Sequence, residues 1–102
     1  MASSSYFKSN DKLNEKSDYH AWKMSLDLTS EEHDVMDYVQ GKISEPPSNA
    51  LVAVKTKYKR GEVQAKKIIR DSIHKHLVAY ISNLGTSKEM YDKLVTNDHV
   101  QS

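Results

Sequence analysis

Cysteine is absent from this chain, which excludes disulfides, thiolate zinc sites and cysteine nucleophiles together. The absence fits a reducing compartment. Glycine and proline are scarce, at three and two residues, too few for the closely spaced turns of an all-β fold. Long apolar runs are missing too. No stretch approaches the ~20 residues that span a bilayer, and the opening MASSSYFKSNDKLNEKS is polar, unlike a secretion signal or an anchor. The chain is therefore read as soluble and intracellular, cytoplasmic or nuclear. A net charge of +1 singles out no class of partner by itself.

What is present is 102 residues, 37% apolar and 28% charged, enough for one small domain with a modest core. The charge is unevenly spread. From Asp11 to Glu45 nine acids face four lysines, a balance of −5; from Lys55 to Lys75 eight bases face two acids, a balance of +6. Such polarity suits head-to-tail self-association or a basic face for an anion, and equally a solvated helix face balanced within the fold.

The periodicity is helical throughout. Residues 1–17 carry few apolar side chains and read as a flexible arm, tacked down by Tyr6, Phe7 and Leu13. Asp18 is a candidate N-cap for a helix with Tyr19, Trp22 and Leu26 inward. Thr29-Ser30-Glu31-Glu32 then has the form of a capping box. Val35, Met36 and Val39 follow on one face, and Gly41 is a helix stop. This is either two short helices or one bent near Leu28. KISEPPSNA is a linker, since consecutive prolines forbid a helix through them. Ser48 is the expected cap of the next helix, with Leu51, Val54 and Tyr58 inward and a break at Lys59-Arg60-Gly61.

Ala65, Ile69, Ile73, Leu77, Tyr80 or Ile81, and Leu84 recur every three or four residues. They predict an amphipathic helix of about five turns with Lys66, Lys67, Arg70, His74 and Lys75 outward. Gly85 is the expected left-handed stop. Thr86-Ser87-Lys88-Glu89 is a second capping box, opening a last helix whose inward stripe is Met90 and Leu94, with Tyr91 and Val95 beside it. The expected fold is all-α, a small bundle of four to six short helices. The helical domain is placed at 18–95 and a short tail at 96–102.

Catalytic chemistry finds little purchase. His74 and His76 are two apart, which on a helix points them ~200° from each other, whereas ligand pairs use an i, i+4 spacing. Asp71, Ser72 and His74 crowd one turn and face apart, unlike a hydrolase triad. There is no Gly-rich phosphate loop and no His-Glu-x-x-His. Glu31, Glu32 and Asp34 read as dipole charges near a helix start. No catalytic residue, metal ligand or cofactor site is assigned, and an enzyme is not expected. The single Trp22 is a core anchor or an interface hot spot. Lys55, Lys57, Lys59, Arg60, Lys66, Lys67 and Arg70 are the candidate nucleic-acid contacts, a non-specific signal that suits a solvated face as well.

These residues, in order, resemble the N-terminal, capsid-like part of the Gag polyprotein of copia-type LTR retrotransposons found in plant genomes. The resemblance runs from about 11 to 95, through KLNEKSDYHAWKMSL and VMDYVQGKISEPP, and is closest over VQAKKIIRDSIHKHLVAYISNLGTSKEMYDKL. It implies an all-α capsid lobe, with Trp22, Ile69, Ile73, Leu77, Met90, Tyr91 and Leu94 packing the lobe. It also implies a non-enzymatic role in protein interaction and self-association, as a homodimer or higher oligomer or with another protein. Such a module could co-assemble or interfere with element Gag, or serve a host as a domesticated element. Family members continue into a second helical region and a Cys/His zinc knuckle. Here VTNDHVQS stands instead, and without cysteine there is no knuckle. Tyr91 occupies a position where Trp is common. A lone lobe is expected to expose apolar surface at Met90, Tyr91 and Leu94, so these and Trp22 are the candidate interface. The alternative is RNA binding through the basic 55–75 region.

Overall fold

The chain forms an all-α bundle, described over residues 6–96 by a computed structural model. Five α-helices follow in order: α1 Tyr19–Glu32, α2 Met36–Val39, α3 Val52–Asp71, α4 Lys75–Val78 and α5 Ser87–Thr96. No strand occurs among the described residues, apart from one isolated parallel bridge between Leu13 and Ile73. The tail expected at 96–102 lies, beyond Thr96, outside them.

Helix α1 forms on the expected stripe, burying Trp22, Leu26 and Ser30. It runs straight through Thr29, so the capping box expected at 29–32 is not formed. A helix ends there. The amide of Asp34 donates to Glu31 O (3.1 Å) and that of Val35 to Ser30 O (2.9 Å), the paired bonds of a Schellman stop. Asp34 takes the left-handed position, φ +60°, usually given to glycine. The expected stop at Gly41 does occur, closing α2 in the same way: φ is +76°, and Lys42 N donates to Asp37 O at 2.8 Å.

Helix α3 departs from expectation at both ends and in the middle. Its N-cap is Leu51, without a side-chain bond, and Ser48 instead offers its carbonyl to Lys55 Nζ at 2.8 Å. Gly61 does not break it. A Cβ there would overlap the ring of Tyr38, so glycine serves close packing of α2 on α3 rather than a turn. The helix then stops at Asp71 instead of continuing toward Leu84. The reason is the N-terminal arm: Leu13 N donates to Ser72 O (2.8 Å) and His74 N donates to Leu13 O (2.9 Å). Backbone groups that would continue the helix are taken by Leu13. Trp22 Nε1 donates to Ser72 Oγ at 3.0 Å at the same spot, and Phe7 and Leu13 are buried.

After this break the chain makes the single turn of α4 and further turns that return Leu77 and Ile81 to the core. The second capping box is formed: Glu89 Oε1 accepts from Gly85 N (2.9 Å) and Thr86 N (3.1 Å), and Glu89 N donates to Thr86 Oγ1 at 3.2 Å. Positive φ among the glycines occurs only at Gly41, so the left-handed stop expected at Gly85 is not there. Trp22, Leu26, Ala65, Ile68, Ile69 and Leu94 meet at the centre with no accessible surface.

In an open helix interior Gly→Ala stabilises by ~1 kcal/mol. Gly61→Ala should do the reverse, lowering stability by about 1–3 kcal/mol through overpacking against Tyr38. Urea unfolding checks it; a stabilised Gly61→Ala would show that Tyr38 moves freely aside.

Candidate interaction surface

Helix α3 carries the surface. Near 100° per residue, Lys55, Lys59, Lys66 and Arg70 fall within about 60° of one another around the helix, over roughly 22 Å of its length. Lys67 and Arg60 widen this stripe, whereas Lys57 falls on another side. The ion pairs among the described residues are Lys12–Asp71, Lys23–Asp27 and Lys88–Asp92, so none of the seven bases is neutralised by an acid. The core-facing side of the same helix holds Glu62, Ala65, Ile68 and Ile69.

The first turns of α3 project beyond the core. Every residue from Leu51 to Lys57 is exposed, with Leu51 at 74%, Val52 at 75% and Val54 at 46%. Leu51 and Val54 were expected inward. The helix is longer than the bundle beneath it, so its N-terminal apolar positions have nothing to pack on. Farther along, Val63, Val78, Ile81 and Met90 wall a groove of about 310 Å³ whose rim carries Lys66, Lys67 and Arg70. A second hollow, of about 460 Å³, lies between the linker at Glu45 and Pro46 and α3 at Lys55, Tyr58, Lys59 and Lys66.

Of the residues expected to form an interface, Trp22 and Leu94 have no accessible surface and cannot reach a partner. Their helices turn them into the core, where Trp22 is held by Ser72. Met90 and Tyr91 are half-buried. Met90 walls the groove. The Tyr91 hydroxyl donates to Asp27 Oδ1 at 2.8 Å, and Lys23 Nζ lies 3.0 Å from Asp27 Oδ2 and 5.9 Å from the centre of the Tyr91 ring. The hydrogen bond to Asp27, and then that to Tyr91, push the Lys23 ammonium up to about 12. Burial, and then the bond to Asp27, push the Tyr91 phenol up. This cluster joins α1 to α5 and leaves Tyr91 tied to its own chain.

Glu62 was not singled out by sequence. It is buried and accepts from Ser87 N (2.9 Å) and from Ser87 Oγ (3.0 Å), filling the N-terminus of α5 from within. An inward Glu on the apolar stripe of α3 was the available signal. Burial, and then the carboxylates of Glu62 and Glu45 and the neighbouring Tyr38, push the Tyr58 phenol up.

The outer face of α1 adds a second exposed feature. Met24 is 66% exposed and Leu28 59%, one turn apart and turned away from Trp22 and Leu26. Glu31, Glu32 and Asp34 are exposed just beyond them. These acids lie at the C-terminal end of α1, not at the helix start expected from sequence, and the last turn of α1 holds no base.

His74 precedes α4 with extended backbone, ψ 158°, so the two histidines are not on one helix as assumed; their rings are 6.5 Å apart. No cluster of three or more potential metal ligands occurs among the described residues, and none of their helices is long and apolar enough to cross a membrane. No protein-family model, curated protein or solved structure matches the chain.

Glu62→Ala should leave the Ser87 amide and hydroxyl buried without an acceptor, costing about 1–3 kcal/mol. Hydrogen exchange should show α5 losing protection before α3 does. Equal loss in both helices would contradict a local role for this carboxylate.

Proposed function

We propose that this chain is a non-enzymatic helical interaction module of Gag type that works by self-association, with element Gag or a host protein as further partners. The carrying observation is the projecting start of α3. Leu51 and Val52 are about three-quarters exposed, at 74% and 75%, and Val54 nearly half, at 46%, on a helix whose later turns are well packed, and contiguous exposed apolar surface marks a site of association. The resemblance of residues 11–95 to copia-type Gag supports the same reading, since a capsid lobe acts by contacting other lobes. Sedimentation velocity over a concentration series tests it. Wild type should gain mass with concentration. Leu51→Ser with Val52→Ser should weaken association about tenfold or more, since each buried apolar side chain is worth ~1.5–3 kcal/mol. A wild type that stays monomeric at every concentration overturns the proposal.

A second reading, RNA binding, is favoured by the stripe of Lys55, Lys59, Lys66 and Arg70, which form no ion pair with an acid among the described residues. It predicts affinity for single-stranded RNA that falls steeply with salt, with a shallower slope after Lys66→Glu and Lys67→Glu. Filter binding that shows no complex even at low ionic strength removes it.

A further inference from the structure

We infer that self-association runs head to tail, with the outer ridge of α1 in one copy seated in the α3–α5 groove of the next. This rests on the self-association proposed above and adds to the projecting start of α3 a second, separate contact. The groove has apolar walls at Val63, Val78, Ile81 and Met90 and a rim of Lys66, Lys67 and Arg70 on one side. Its volume, about 310 Å³, is that of several waters at about 30 Å³ each, enough to receive apolar side chains. A matching occupant has two apolar anchors one helical turn apart with acids at one end, the helix-in-groove mode of recognition.

The chain itself carries that element. Met24 and Leu28 stand outward on α1, and Glu31, Glu32 and Asp34 follow them. None of these three acids is ion-paired among the described residues, nor is any of the three bases of the groove. Three unpaired acids therefore match three unpaired bases, the acids beside exposed Met24 and Leu28 and the bases beside exposed Val63 and half-buried Val78 and Met90. The two surfaces cannot meet within one copy, because α1 packs on the bundle through Trp22 and Leu26 and its ridge points the other way. Contact between copies is left. The two patches differ, so the contact is heterologous and builds rings or filaments rather than a closed two-fold dimer.

Charge exchange tests this. One variant carries Glu31→Lys and Glu32→Lys, the other Lys66→Glu and Lys67→Glu, and circular dichroism melts confirm that both fold. Sedimentation is measured at about 10 mM ionic strength, where charges act over ~30 Å, and at about 1 M, where they act over ~3 Å. Each variant alone should associate about tenfold or more weakly than wild type at low salt. An equimolar mixture should regain association, since every patch then meets its opposite. Met24→Ser with Leu28→Ser should weaken association without changing its salt dependence. If both reversals associate as wild type does, the head-to-tail contact is wrong while self-association stands. A wild type monomeric throughout overturns both. If the reversals weaken association, the mixture does not restore it, and Lys66→Glu with Lys67→Glu abolishes binding of single-stranded RNA, the groove takes nucleic acid and the inference fails.

Discussion

The junction at Ser72 determines the rest of the architecture. Its hydroxyl accepts from Trp22 Nε1 at 3.0 Å and donates to Ile69 O at 2.6 Å, while its carbonyl accepts from Leu13 N. Each such bond is worth only ~0.5–1.5 kcal/mol net. Together they redirect the chain, because an apolar ladder that could continue α3 is cut after Asp71. The returning segment then lies beside α3 instead of extending it. That return sets Val78 and Ile81 next to Val63 and Met90 and makes the groove. The groove proposed above as a docking surface is thus a consequence of how an N-terminal residue, Leu13, terminates a helix nearly sixty positions later.

Helix α3 is the shared support of α1, α2 and α5, and two neighbouring residues show how. Gly61 lets the ring of Tyr38 in α2 approach the helix axis, and Glu62 reaches Ser87 to hold the start of α5. A helix so occupied on its inner side leaves its outer side free of structural duty. Lys55, Lys59, Lys66 and Arg70 line the edge where that side meets the packed one, and the projecting Leu51 and Val52 are about three-quarters exposed. One long helix is thus divided into a packed face and a face without an internal partner, the one on which the proposed association draws.

What could be read in the sequence were features decided by a few neighbouring residues: the helical stripe of α1, the stop at Gly41, the Thr86–Glu89 box, and the anchoring of the arm by Phe7 and Leu13. What could not be read depended on distant partners. Gly61 reads as a weak point because helix propensity knows nothing of Tyr38. The run from Ala65 to Leu84 reads as one helix because its spacing stays helical after Ser72 has broken it. Trp22 and Leu94 read both as core and as candidates for contact, and are core, since an inward stripe looks the same whether a neighbour or a partner covers it. The bases of α3 were recognisable as a cluster, but the groove they border was not. It needs two segments brought together by a bond to Leu13.

The end of α1 is where local rule and structure disagree most informatively. Thr-Ser-Glu-Glu followed by Asp34 reads as a helix start because acids belong at the positive end of the dipole. Here they sit at the negative end, where each unfavourable charge costs about 0.3–1 kcal/mol at low ionic strength. Asp34 also holds the left-handed position that glycine fills without strain. Lys or Arg in the last turn and Gly at 34 would make a more stable single chain. The disfavoured arrangement lies beside Met24 and Leu28, the most exposed large apolar residues of α1. Violations gathered in one place mark a region shaped for something other than its own folding. Cations supplied by another copy would relieve the repulsion at the helix end at the moment the ridge is covered. Under the proposed self-association, the electrostatic cost of the isolated chain would become part of the preference for the associated one, and salt, which screens both, would weaken that preference.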